Sequence, residues 1–310
     1  MSGVVDTSDG VPAVTAPYGF RIRLQERLTD TQLALTALDD AGLDIATPTL
    51  APPLRQYDAD VESATAFCRA VNDSFAEVQG DTNGRLRPLA DVPLQDPDAA
   101  VAELRRAVTE LGLHGVGIGT NVNGRNLGDD EFRPFWRAVA DLDTFVFLHP
   151  ETVLGAHDRF CRHEQENLVG FPVDTAAAAA SMIFDGVYRE VGPLKTCYAH
   201  GGGAMPYLLS RWEHGYWARI AKRPDPVESP MAHLHSLYCD SLVHGGPQLA
   251  FLIELVGADH VMLGSDFPFD MGDPQPVATM EHTVTDPQER ELIAGATAAN
   301  LLDLEVAPAG

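Results

Sequence analysis

The sequence predicts an α/β protein of the (β/α)8 TIM-type barrel class that lacks its first strand, and three observations carry that reading. Strand-like apolar runs alternate with helical periodicity from residue 29 to residue 303, which is the order a parallel barrel requires. Three of the strand runs lead into a ligand-type side chain, His149, His200 or Asp266, at the strand ends where such barrels place their chemistry. The length, 310 residues, suits one barrel with insertions.

Residues 1–28 read as a hairpin or ordered loop ahead of the barrel, because turn chemistry at Asp9-Gly10 and Pro17-Tyr18-Gly19 surrounds short β-prone runs at 4–5 and 20–24. Thr29 is placed to cap a helix over 29–41, with Leu33, Leu35, Ala37, Leu38 and Ala41 on its apolar side and Gly42 to end it. Strand 43–47 follows, then helix 60–79, strand 86–92, helix 97–111, strand 115–120, helix 129–141 and strand 144–148. A helix over 174–190 holds the alanine run at 176–180, a strong helix former suited to a crowded layer. Strand 194–199, helix 204–221, strand 237–242, helix 247–256, strand 260–265 and helix 287–303 complete the barrel domain, which spans 29–304 and leaves a tail at 305–310. The count is seven strands where a closed barrel of this kind has eight. No apolar run ending in ligand-type residues precedes Thr29.

Composition narrows the function. A formal charge of −24 argues against nucleic acid or an anionic membrane as partner, since both are bound by clustered Lys and Arg. It leaves room for a small anionic substrate, because two or three local arginines override the global field. Cys68, Cys161, Cys197 and Cys239 are scattered without paired spacing, so neither a zinc ribbon nor a disulfide framework is expected, and buried free thiols are. No apolar run approaches a bilayer-spanning length, and residues 1–19 lack the pattern of a signal peptide, so a cytoplasmic location is expected.

The chemistry concentrates at three strand ends. In LKTCYAHGGGAMPYLLSR, from Leu194 to Arg211, an apolar run ends on His200 and turns through three glycines into a helix. The glycines permit unusual backbone angles and close approach of a ligand. TFVFL ends at His149-Pro150, and HVMLGS ends at Asp266 in GSDFPFDMGDP. Each residue alone is compatible with a structural role, His149 as a packed core histidine and Asp266 as a turn cap. Converging on one barrel face, they suit Zn²⁺ or a similar divalent ion with a position left open. His233-Leu234-His235 precedes strand 237–242 and so belongs to the opposite end of the barrel. His244 lies just beyond that strand, alone, and reads as a supporting or structural residue.

These blocks, with GVGIGTNVNGRNL, LVGFPVDTAAAAASMIFDGV and AHGGGAMPYLLSRWEHG, resemble the amidohydrolase superfamily, and within it the branch of non-oxidative, metal-dependent decarboxylases. The resemblance implies that His149 and Asp266 are metal ligands and that His200 is the catalytic histidine that takes a proton from the attacking water, with Asp266 at the reacting centre. It implies that Arg21, in FRIR, and Arg211, in SRWEHG, hold substrate carboxylates, the second reaching in from the partner subunit of a homodimer. Phe269, with Phe267 and Trp212, lines the pocket or packs in the core. The implied activity is O₂-independent decarboxylation of a small unsaturated or aromatic carboxylic acid, a dicarboxylate such as aminocarboxymuconate semialdehyde. The rival readings are hydrolysis of a lactone or amide at the same site, and an inactive relative. The family begins with a strand ending in His-x-His that supplies two further ligands, which this sequence does not show. The expectation is therefore that the reading frame starts upstream of Met1.

Overall fold

The computed structural model describes residues 4–6, 13–15, 21–24, 26–153, 159–160, 162–224 and 227–304. The front of the chain is a three-stranded antiparallel meander, β1 (Val4–Asp6), β2 (Ala13–Thr15) and β3 (Arg21–Arg23), with Val4 opposite Thr15 and Thr15 opposite Arg21. The turns expected at Asp9-Gly10 and Pro17-Tyr18-Gly19 lie outside the described residues. Helix α1 (Thr31–Ala41) starts two residues later than predicted, because the cap is Asp30. Its Oδ1 accepts from the N–H groups of Gln32 at 2.8 Å and Leu33 at 3.2 Å, a stronger cap than a threonine hydroxyl offers. Gly42 ends the helix at φ 71°, a conformation that favours glycine.

Five parallel strands form the continuous sheet: β4 (Gly115–Gly119), β7 (Phe145–His149), β8 (Thr196–Tyr198), β9 (Leu237–Asp240) and β10 (Val261–Met262), in the order β10-β9-β8-β7-β4. Between β4 and β7 a short hairpin, β5 (Asn121–Val122) and β6 (Arg125–Asn126), turns through Asn123-Gly124. Two further staves extend the sheet by single parallel bridges, Ala90 to Val116 and Ala46 to Leu86. These are the predicted strands 86–92 and 43–47, shortened for a physical reason. Pro48 and Pro88 have no N–H to give, so the ladder there runs largely through acceptors, with Arg87 N–H on Ala46 O at 2.9 Å and Leu89 N–H on Pro48 O at 2.8 Å. Seven parallel staves result within the described residues, as predicted. Among the described residues no backbone pairing links Ala46 to β10.

Helices cover the outside: α2 (Val61–Asp81), α3 (Pro97–Thr109), α4 (Arg133–Asp141), α5 (Phe171–Phe184), α6 (Val187–Val191), α7 (Met205–Gly215), α8 (Gly246–Val256), α9 (Pro276–Thr283), α10 (Pro287–Glu291) and α11 (Thr297–Leu301). Gly186 at φ 78° breaks the predicted helix 174–190 into α5 and α6. Strand residues alternate in the burial they provide. Val116, Ile118, Val146 and Leu148 pack outward with Leu104, Phe135 and Met182 of the helices. Phe145, Leu89, Cys197 and Met262 form a second cluster with Leu301 and Leu302. The chain's last described segment thus closes the end where the strands begin. There the His114 Nδ1–H donates to Leu302 O at 2.9 Å, and Lys195 pairs with Asp143 at 2.9 Å and Asp303 at 3.4 Å. The opposite strand ends are left for function.

One composition-based expectation is corrected. The helical stretch Glu166–Phe184 is long and apolar enough to cross a membrane, with a mean hydropathy of 1.3. Half of it is buried inside the fold, which is the behaviour of a core helix. The alanines at 176, 178 and 179 make its inner face, where small side chains allow close packing on the strands. Cys68, Cys197 and Cys239 are buried free thiols, and Cys161 lies outside the described residues.

Candidate active site

Each of the three candidate ligands stands at a strand's C-terminal end. His149 is the last residue of β7, His200 follows β8, and Asp266 follows β10. The His149 Nδ1 lies 2.8 Å from the carbonyl of Pro150. A carbonyl only accepts, so Nδ1 carries the proton and the Nε2 lone pair is left for another partner. That nitrogen is 3.7 Å from Asp266 Oδ1, and His200 Nε2 is 4.0 Å from Asp266 Oδ2. The two imidazoles meet edge-on with centroids 4.8 Å apart. The donor atoms of all three residues lie within 4.8 Å of one another.

The electrostatics favour neutral imidazole at His200. Burial pushes its pKa down to about 3, and the neighbouring His149 adds to the shift while Asp266 opposes it. A neutral ring keeps the lone pair needed to ligate a metal or to accept a proton.

Asp240, at the end of β9, holds the backbone around His200. Its carboxylate accepts from the N–H groups of His200 at 2.9 Å, Gly201 at 2.8 Å and Leu242 at 3.1 Å. Burial raises the Asp240 pKa to about 6, against these three donors, which stabilise the charge. The anchor is needed because His200 sits in the left-handed region at φ 57°, an uncommon conformation for a side-chain-bearing residue. Gly203, at φ 60°, completes the turn, where an added Cβ would lie 2.3 Å from the Pro172 carbonyl oxygen.

His200 and Asp266 form part of the wall of a cavity of about 430 Å³. His149 is not among the lining residues, and it reaches the site through its 3.7 Å approach to Asp266. The rest of the wall is mostly apolar, with Phe171, Leu242, Val243, Phe251 and Met271 among its members.

On the β4 side the space is filled by a buried ion cluster. Gly117 and Gly119 have no side chains, and a Cβ on them would lie 2.1 Å from Thr49 Oγ1 and 2.4 Å from Glu151 Oε1. Arg55 occupies this region, its Nε 3.0 Å from Asp91 Oδ1 and its Nη1 3.6 Å from Glu151 Oε2. Burial pushes the Glu151 carboxyl up to about 8, with Arg55 opposing.

The remaining predicted residues fall as follows. Arg21 lies on β3, with its side chain outside the described set. Arg211 lies on α7 with its side chain exposed, and it does not line the cavity of its own chain. Phe269 is in the turn after Asp266, donating its N–H to the Asp266 carbonyl at 3.0 Å, while Met271 supplies that loop's part of the cavity wall. Trp212 packs on Phe184. His233 and His235 lie in the turn before β9, at the opposite end, with His233 stacked on Tyr188. Sequence reasoning missed Asp240 and Arg55. An acidic residue at the end of a buried strand was the available signal for Asp240, whereas Arg55 sits in an irregular Pro-rich loop that offers none.

The sequence profile described as Amidohydrolase matches residues 26–304. The chain belongs to the amidohydrolase family. It is 36% identical over 254 residues to 2-amino-3-carboxymuconate-6-semialdehyde decarboxylase of Dictyostelium discoideum, covering 81% of this chain and 70% of that one. It is 30% identical over 273 residues to gamma-resorcylate decarboxylase of a Rhizobium species, covering 82% of each. The crystal structure of a dihydroxybenzoic acid decarboxylase from a Polaromonas species, with bound manganese and the inhibitor 2-nitroresorcinol, superposes with a TM-score of 0.82 at 26% identity, over 92% of this chain and 89% of that one.

The site fits a divalent metal on its own geometry. Two imidazoles, one with its proton fixed on the nitrogen that faces away, and one carboxylate converge within ligand-sharing distance. That donor chemistry suits zinc, manganese or iron.

Proposed function

We propose that this amidohydrolase catalyses the metal-dependent, O₂-independent decarboxylation of a small aromatic or unsaturated carboxylic acid. The observation that carries the reading is the convergence of His149, His200 and Asp266, the last two lining a largely apolar cavity of about 430 Å³, a volume that suits a ligand with one ring. The named activities of the relatives agree with it. His149 and Asp266 would hold the metal, zinc or manganese, and when bound the metal acts as a Lewis acid that polarises an oxygen of the reacting molecule. Loss of CO₂ breaks a carbon–carbon bond and leaves the electron pair on carbon, so a proton must replace the carboxylate. That proton comes from solvent through His200, whose ring accepts it at the free nitrogen and passes it to the carbon. Asp240 fixes the angle of His200 throughout. The apolar wall excludes water and so favours departure of neutral CO₂ from a carboxylate.

Arg21 and Arg211 are assigned to substrate carboxylates, Arg211 acting in the neighbouring subunit of a homodimer. Its exposed position on α7, outside its own cavity, supports that assignment. The test is anaerobic incubation of the manganese- or zinc-supplemented protein with aminocarboxymuconate semialdehyde and with gamma-resorcylate. Stoichiometric CO₂ release that a chelator abolishes is expected. Turnover of lactone or amide substrates with no CO₂ from either acid would overturn the reading.

A further inference from the structure

Three residues that carry side chains take left-handed backbone just past consecutive parallel strands. They are His200 at φ 57° after β8, His244 at φ 58° after β9, and Asp266 at φ 52° after β10. All three line the same cavity. Two of them belong to the candidate metal site. The third, His244, has no role in it, yet it holds the same uncommon conformation although the next two residues, Gly245 and Gly246, would adopt it without strain. Histidine enters that region more readily than most residues, and here the turn sets His244 on the cavity wall that His200 and Asp266 share, open to what the cavity binds.

The surroundings say what. Val243, Phe251 and Leu252, which neighbour His244 along the wall, are apolar. Gln248, on the first turn of α8, adds a second polar side chain to the same stretch, and its Oε1 occupies the room above Gly245 that a Cβ would fill at 2.3 Å. His244 is exposed and lines the cavity together with His200. No lysine or arginine among the described residues lines the cavity. Recognition on this wall therefore falls to the His244 imidazole and the Gln248 amide.

We infer that His244 and Gln248 select the substrate, by hydrogen-bonding a ring or chain oxygen of the acid other than the carboxylate that leaves. The inference rests on the decarboxylase reading and adds the residues that read a second oxygen substituent on the acid. An analogue without that oxygen leaves both polar groups facing an apolar surface, which is how such sites reject it.

The experiment is calorimetric titration of the manganese-loaded full chain with paired probes, gamma-resorcylate against salicylate and isophthalate against benzoate. Wild-type protein, His244→Phe and Gln248→Leu are compared after thermal unfolding shows each variant folded. The wild type is expected to prefer the more oxygenated member of at least one pair by about tenfold, the worth of one good hydrogen bond. In His244→Phe that preference is expected to fall to about threefold or less, with affinity for the simpler acid unchanged. An undiminished preference in both variants, or equal weakening for both members of a pair, overturns the inference while leaving the decarboxylase reading intact. Failure of the wild type to bind any of the four acids overturns the decarboxylase reading, and this inference with it.

Discussion

Replacing Arg55 with methionine isolates what the buried ion cluster contributes. The Arg55 side chain is 1% exposed, and those of Asp91 and Glu151 are 2% and 4% exposed. Methionine fills much of the arginine stem's volume but leaves two carboxylates without their shared cation. Removing one partner of a buried ion pair costs about 3–5 kcal/mol. At about 2.1 cal/mol/K per residue, the unfolding entropy of 310 residues is roughly 0.65 kcal/mol/K, so the melting temperature should fall by about 5–8 °C. The pH dependence has a definite sign. Burial already raises both carboxyl pKa values, Glu151 to about 8, and loss of Arg55 raises them further. A carboxyl whose folded pKa is raised favours the folded state at low pH and loses that contribution as pH rises through the folded value. The gap between variant and wild type should therefore be smaller at pH 5 than at pH 8. Thermal unfolding followed by circular dichroism at the two pH values reads this directly. Adding Asp91→Asn and Glu151→Gln should recover most of the loss, since neutral amides do not need the cation. A drop below about 2 °C at pH 8, or a gap that widens toward pH 5, would refute the reasoning.

Two further outcomes follow from the site. Asp240→Asn keeps the side-chain shape but removes the charge that three N–H groups share, so turnover should fall by about 10- to 100-fold with metal content unchanged, if the residue positions His200; unchanged turnover would deny it that role. Arg211→Ala should lower turnover by about 30-fold or more without altering metal content. Mixing Arg211→Ala with His200→Ala subunits should then restore part of it, because one site of a mixed dimer carries neither defect, and the absence of recovery despite subunit exchange would place Arg211 in its own subunit's service.

The repeating parts of the fold were legible because period and punctuation are local. Seven staves, the Gly42 helix stop and the strand-end positions of His149, His200 and Asp266 all follow from short-range patterns. The helix start at Asp30 was misjudged by one capping residue, since Thr29 and Asp30 are both acceptable caps and only the backbone path decides. The β5–β6 hairpin carried its own signal, Asn123-Gly124, which a search for parallel units passes over. Gly186 ends a helix that the alanine run alone would carry further. Arg55, Asp91 and Glu151 come from separate segments, and their meeting depends on the missing side chains of Gly117 and Gly119 in a neighbouring strand. His244 looked isolated in sequence because its companions, His200 and Asp266, are joined to it only by the sheet order.

Divalent metal measured by inductively coupled plasma mass spectrometry on purified wild-type protein and on Asp266→Ala, after equilibration with manganese and gel filtration, bears most directly on the site. The geometry predicts retained metal approaching one ion per chain in the wild type and a loss of most of it in Asp266→Ala, with His149→Ala behaving alike. Equal metal content in wild type and both variants, or none in the wild type, would contradict the assignment of His149 and Asp266 as ligands.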